Sequence, residues 1–168
     1  MAKQTWRIHP KGARDAHDTV ALLAEVAREG RWIATEWPFN LTARAEAMRT
    51  EILGRRIVGW CAVDGRAMVG DLTVYGVAYD EPEFGMIVAA SHRKRGIGRA
   101  LIENAAAWAR ANGKAGLRLR VFPDNAPALA LYRSTGFVEV QVQRGAIPRT
   151  DGAPLDVIVM RLPIEPAR

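Results

Sequence analysis

The sequence predicts one mixed α/β domain spanning residues 1–168, on three observations. Amphipathic stretches alternate with short β-patterned runs, a glycine-rich basic loop joins an apolar run to a strongly periodic helix, and Asp64-Gly65 separates two β-patterned runs as a tight turn. Thr5-Trp6-Arg7-Ile8-His9 alternates as a first strand, and Ala16 to Arg28 reads as a helix with Val20, Leu23 and Ala27 on one face, ended by Gly30. A loop from Arg31 to Phe39 leads to Asn40, an N-cap for a second helix reaching Leu53. Arg56–Val63 and Ala67–Val77 form a hairpin around Asp64-Gly65, and Phe84–Ala89 is a buried strand. Ile97, Leu101, Ala105, Trp108 and Ala109 recur at helical spacing until Asn112-Gly113. Leu117–Val121 alternates as a half-exposed strand. Asp124-Asn125-Ala126-Pro127 starts a short helix through Leu129 and Tyr132 to Ser134, where Gly136 is a left-handed cap. Phe137–Arg144 and Leu155–Leu162 close the pattern.

Composition narrows the class. The chain has no internal repeat, no apolar signal segment and no run approaching the roughly twenty apolar residues of a membrane helix, so a cytoplasmic protein is expected. A lone cysteine, Cys61, excludes a disulfide framework and a cysteine-based metal site. It reads as a small core residue, or as one exposed to a pocket if its strand faces one. His9, His17 and His92 lack metal-ligand spacing, so no metal is expected. The net charge of +6 is dispersed apart from Arg93–Arg99 and Arg55-Arg56, and no nucleic-acid-binding signature accompanies it.

His92-Arg93-Lys94-Arg95-Gly96-Ile97-Gly98-Arg99 lies between the Phe84–Ala89 strand and the next helix. Glycines let a phosphate approach the backbone, the first N–H groups of a helix have no internal partner, and the dipole and arginines add positive charge. The result is an anion cradle. Its spacing is neither that of a P-loop nor that of a dinucleotide fold. A solvated basic turn is the other reading of this run taken alone.

Arg93-x-x-Gly96-x-Gly98 resembles the pyrophosphate loop of the GNAT (Gcn5-related N-acetyltransferase) family, [RQ]-x-x-G-x-[GA]. The stretch Asn125 to Phe137 resembles the family's second signature, N-x-x-[AS]-x-x-[LF]-Y-x-x-x-G-F, in the right order and about thirty residues on. The resemblance implies a mixed, mostly antiparallel seven-stranded sheet flanked by four helices and splayed between strands 4 and 5. It implies acetyl-CoA as co-substrate, with the diphosphate over Arg93, Lys94, Arg95, Gly96, Ile97, Gly98 and Arg99. The pantetheine arm would lie along the backbone of Met86, Ile87 and Val88, with Gly85 marking a bulge. Asn125 would touch the arm, cap its helix, or do both.

The implied chemistry is attack of a neutral amine on the thioester. Tyr132 sits where the family often places a general acid for the leaving sulfur; the alternative is a ring packed under the cofactor with an idle hydroxyl. Glu83 lies near the position of a general base in several relatives, with Glu81, Asp71, Glu36 or a water chain as rivals. Trp32, Trp37 and Phe39 occupy a loop that walls the acceptor site in relatives, unless they pack as core. Arg55 or Arg56 would pair with a carboxylate on the acceptor. The expected acceptor is therefore a small primary amine, an amino acid or a related compound. Peptide or protein N-terminal or lysine acetylation, and a non-catalytic acetyl-CoA-binding regulatory domain, are the alternatives. The Gln143–Leu155 hairpin either closes the site or supports a homodimer.

Overall fold

The structure is a computed structural model that describes residues 4–165. Seven strands form one sheet in the order β1-β2-β3-β4-β5-β7-β6. They are β1 (Trp6–Pro10), β2 (Ile57–Asp64), β3 (Ala67–Tyr75), β4 (Glu83–Val88), β5 (Gly116–Val121), β6 (Val138–Ile147) and β7 (Leu155–Pro163). The helices are α1 (Ala16–Arg28), α2 (Leu41–Leu53), α3 (Ile97–Ala111) and α4 (Ala126–Ser134), so order and number match the expected mixed α/β pattern. All neighbouring strands are antiparallel except β4 and β5.

Local chemistry sets the ends of the helices. The Asn40 side chain accepts from the Ala43 N–H at 2.9 Å, and that of Asn125 from Ala128 N–H at 3.2 Å, so each satisfies a donor that the first helical turn leaves free. Two short 3-10 turns, Ala13–Asp15 and Ala90–His92, escape a sequence reading because so few residues carry no periodicity.

Alternation along β3 places the layers. Gly70 faces Ile97 and Leu101 of α3, whereas Asp71 faces Thr19 of α1, so α1 and α3 cover opposite faces of the sheet. On the α3 face Leu72, Val74, Phe84, Leu101, Ala105 and Leu119 form the centre of the core. Burying such side chains is worth about 1.5–3 kcal/mol each, which is why the apolar stripe of α3 dictates where it docks. No helix among the described residues is long and apolar enough to cross a membrane.

Two features differ from the sequence reading. Gly85 is not a bulge: β3 and β4 pair in unbroken register from Gly70↔Val88 to Tyr75↔Glu83. The space above Gly85 is instead filled by the Tyr75 ring, 3.8 Å from where a Cβ would stand. The register does shift between Ala62 and Val63, opposite Gly70, and twice along β6, the second time around Gly145, whose φ is +57°.

The α1 face also holds a buried ion pair. Lys11 Nζ lies 2.6 Å from Asp71 Oδ1, their side chains 1% and 6% exposed, and Lys11 also donates to the Thr73 hydroxyl. Thr73 in turn donates to Asp71 Oδ2 at 3.0 Å. Cys61 is buried beside Asp71, and desolvation pushes its thiol up to about 12, so it behaves as a core group. His9, Asp15 and Cys61 bring ligand atoms within 4.8 Å of one another, a proximity that their sequence spacing does not signal. The Asp15 carboxylate there already accepts from Gly12 N–H at 2.6 Å and meets His9 Nε2 at 3.3 Å.

Candidate active site

The β4–β5 pair is what makes a site possible. These parallel strands share one register position, Glu83↔Arg118, with Arg118 N–H donating to the Pro82 carbonyl at 3.0 Å. Beyond it the strands diverge, and Gly85–Val88 presents a backbone edge with no strand partner on that side. A cleft of about 1010 Å³ occupies the gap and draws its walls from both faces of the sheet. Unpaired strand edges readily accept another extended group, so the gap is a slot for one.

On the α3 face the cleft is lined by Met86 and Val88 of β4, by the anion loop, and by Asn125, Leu131 and Tyr132. Gly96 has φ +84°, in the left-handed region, and hands the chain into the first turn of α3. At Gly98 an added Cβ would lie 2.8 Å from the Leu131 side chain and 3.4 Å from Met86, so a side chain there would fill the floor of the cleft. The Ile97 side chain is buried in the core, leaving its backbone toward the cleft. Tyr132 is 7% exposed, its ring edge-on to Phe84 at 6.3 Å and tilted against Phe137 at 5.7 Å. Burial pushes its phenol well above the ordinary tyrosine value, so the hydroxyl keeps its proton.

The basic side chains of the loop divide by partner. Arg93 is committed to protein: Nη1 and Nη2 donate to Glu29 at 2.8 and 2.5 Å, and Nε donates to the Val88 carbonyl at 3.1 Å. Arg95 turns outside the cleft lining, donating to Thr5 Oγ1 at 3.1 Å with Asp64 at 3.7 Å. His92 also meets Asp64, at 3.1 Å, so the loop is pinned to the β2–β3 hairpin. Lys94 and Arg99 line the cleft, and Arg99 donates to Ser134 Oγ at 2.8 Å, joining α3 to the end of α4.

On the α1 face the lining includes Asp71, Tyr75, Glu83, Gly85 and Ile87 from the strands. Desolvation raises the Tyr75 phenol and Asp71 adds to the effect, so it too stays neutral. Glu83 Oε1 accepts from Arg120 Nε at 2.9 Å across the mouth of the gap. The rival carboxylates are all engaged: Asp71 with Lys11, Glu81 with Arg161 at 2.6 Å, and Glu36 with Thr150 and Arg149. The Glu36 contacts clasp the β6–β7 hairpin to the α1–α2 loop, and the Thr150 hydrogen bonds hold that carboxyl below its usual range.

The aromatic loop splits. Trp32 lines the cleft, but Trp37 and Phe39 do not; they meet edge to face at 5.5 Å under the guanidinium groups of Arg28 and Arg44. Arg56 lies at the end of α2, its side chain 65% exposed and paired with Glu51 at 3.3 Å, away from the cleft. The cation that does reach the α1-face end is Arg44, from one turn inside α2. It donates to Thr35 Oγ1 at 3.4 Å and has no ion-pair partner among the described residues. Arg44 and Arg120 escape a sequence reading because nothing local distinguishes them from solvated arginines.

A split parallel pair, an edge without a partner and a basic helix start on one side of it define a cleft for an extended ligand with an anionic end. The acetyltransferase (GNAT) family matches residues 31–137, and the chain belongs to that family. The ribosomal protein bS18-alanine N-acetyltransferase of Escherichia coli K12 is 42% identical over 81 residues, 48% of this chain and 54% of that protein, so the chain spans about half the length of the curated relatives it matches. The crystal structure of the ribosomal-protein-S18-alanine N-acetyltransferase from Escherichia coli superposes with a TM-score of 0.73 at 29% identity, covering 97% of this chain and 96% of that one. Spermidine N-acetyltransferase from Vibrio cholerae, in complex with CoA and spermine, has a TM-score of 0.81 over 96% of this chain and 97% of that one; at 19% identity it shares the fold.

Proposed function

We propose that the chain transfers the acetyl group of acetyl-CoA to the primary amine of a small molecule that also carries an anionic group. The observation that carries this reading is the cleft through the β4–β5 gap, basic at its α3-face end and open at the other to Arg44, a cation with no ion-pair partner among the described residues. Acetyl-CoA supplies an activated acyl carbon and a thiolate leaving group. The loop N–H groups, Lys94 and Arg99 hold the diphosphate, and the backbone edge of Met86, Ile87 and Val88 aligns the arm. Holding amine and thioester in attack geometry is worth up to about 7–11 kcal/mol of barrier. As the C–N bond forms and the C–S bond breaks, Tyr132 donates its proton to the sulfur, and Glu83 or a water beside it takes the proton lost by the nitrogen.

Charge bookkeeping at the acceptor end favours an amine with an anionic partner group. Asp71 is neutralised by Lys11 and Glu83 by Arg120, while Arg44 has no ion-pair partner among the described residues. A polycationic acceptor would find no free carboxylate there. Arg44 takes the part that the sequence suggested for Arg55 or Arg56. Arg44→Ala is expected to raise KM about tenfold for an amine bearing a carboxylate, as loss of a charged hydrogen bond implies, and to leave its methyl ester unaffected. Equal effects on acid and ester would overturn this assignment.

A second reading, acetylation of a protein N-terminal alanine, is favoured by the 42% identity to the bS18-alanine enzyme. Free-thiol release from acetyl-CoA with amino acids, N-terminal peptides and polyamines separates the two; turnover of none of them would leave a binding domain. Gly98→Val, which fills the floor of the cleft, is expected to weaken acetyl-CoA at least about tenfold by calorimetry, of the order of losing one or two good contacts. A folded Gly98→Val variant with unchanged affinity would remove the loop from the cofactor site.

A further inference from the structure

Three different kinds of metal ligand converge on the α1 face, beside the Lys11–Asp71 pair. His9 of β1 stands directly opposite Cys61 of β2, so both side chains leave the sheet on one face, and Cys61 in turn stands opposite Asp71 of β3. Asp15 reaches them from the 3-10 turn that precedes α1. The ligand atoms of His9, Asp15 and Cys61 all lie within 4.8 Å of one another, and no other trio of histidine, cysteine and acidic side chains among the described residues comes so close. The residues are too far apart along the chain to form a recognisable spacing.

Distances and charge both suit a cation of the zinc type. His9 Nε2 and Asp15 Oδ1 are 3.3 Å apart, about the edge of a tetrahedral site with zinc–ligand lengths of roughly 2.0–2.1 Å. With sulfur at about 2.3 Å the edges to Sγ come to about 3.5 Å, so the thiol has a gap of no more than about 1.3 Å to close. Asp15 Oδ2 accepts from Gly12 N–H at 2.6 Å, which fixes the carboxylate with its other oxygen toward His9. Lys11 already balances Asp71 at 2.6 Å. The Asp15 carboxylate and a Cys61 thiolate then balance the two charges of the cation, with His9 neutral. The His9 side chain is 29% exposed, which leaves a way in for the cation and for a water as fourth ligand.

We propose that His9, Asp15 and Cys61 form a site for one divalent transition-metal cation of the zinc class. None of the three lines the acetyl-transfer cleft, so the site stands whatever the cleft binds. Bonds form from the cation to His9 Nε2, Asp15 Oδ1 and Cys61 Sγ; the thiol proton leaves to solvent, and no electron is transferred. The bound cation ties β1, the turn before α1 and β2 to one another, a clamp on the α1 face of the sheet.

The test uses the full chain, freed of metal with a chelator and held in thiol-free buffer, with cobalt(II) as the probe and zinc(II) as competitor. Cys61 is the only cysteine of the chain, so a thiolate-to-cobalt charge-transfer band in the near ultraviolet can come from no other residue. Cobalt is expected to raise that band in the wild type, saturating at one equivalent, and zinc to abolish it. Cys61→Ala is expected to lose the band. His9→Gln is expected to weaken cobalt at least about tenfold, since even partners that only support a ligand cost that much. Its side chain is partly exposed, so this variant serves if Cys61→Ala does not fold. A wild type without the band, a His9→Gln variant with wild-type cobalt affinity, or equal calorimetric affinity in the wild type and Cys61→Ala overturns the site.

Discussion

Tyr132→Phe is expected to lower kcat by about 10²–10⁴-fold, the usual contribution of a positioned proton donor, while acetyl-CoA affinity stays within a few-fold. The ring is fixed by Phe84 and Phe137 and the substitution removes one oxygen, so packing is preserved. Burial holds the phenol protonated through the neutral range, the state required of a donor to a departing thiolate. Steady-state kinetics with acetyl-CoA and the best acceptor from the thiol-release panel would check it. Wild-type kcat with an unaltered pH–rate profile, where the chemical step limits turnover, would reduce Tyr132 to a packing residue.

Lys11→Met carries the largest expected effect on stability, a loss of about 3–5 kcal/mol in urea unfolding, because it strands the Asp71 carboxylate in a buried site. Thr73 remains as a donor to Asp71, yet a hydroxyl does not replace an ammonium. Pairing Lys11→Met with Asp71→Leu should recover most of the loss, since a buried ion pair exchanged as a whole for apolar groups is often close to neutral. Additive losses in the double variant, or less than about 1 kcal/mol lost in the single one, would show that the pair is not the anchor of the α1 face.

Elements with local causes were legible in the sequence: the caps at Asn40 and Asn125, the Asp64-Gly65 turn, the stripe on α3 and the glycine loop. The cleft is legible only through the likeness to a family, because a gap between β4 and β5 is a relation between strands more than thirty residues apart. The same limit hid the partners of the charged groups. Nothing near Arg93 in sequence announces Glu29, and nothing near Asp71 announces Lys11, which must cross β2 to reach it. The family likeness implies Trp37 and Phe39 as an acceptor wall, with core packing as the alternative; in the structure Arg28 and Arg44 stack over them and they lie outside the cleft lining. Arg56 lies just past the end of α2, outside the cleft lining, and its ion-pair partner is Glu51 of that helix.

The single shared position between β4 and β5 also bears on how the molecule comes apart. Strands β1–β4 and strands β5–β7 are each closed by long antiparallel ladders, whereas between them the backbone contributes little more than the contacts at Glu83 and Arg118. The backbone ladder thus falls into two units, bridged by one shared core and by α3, whose contacts reach β2, β3, β4 and β5. Amides along Gly85–Val88 that face the gap are free to exchange with solvent without global unfolding, unlike those in the ladder to β3. An extended ligand in the gap does what a further strand would do: it splices the two units into one, and the protein's resistance to heat, proteases and isotope exchange then tracks the supply of that ligand.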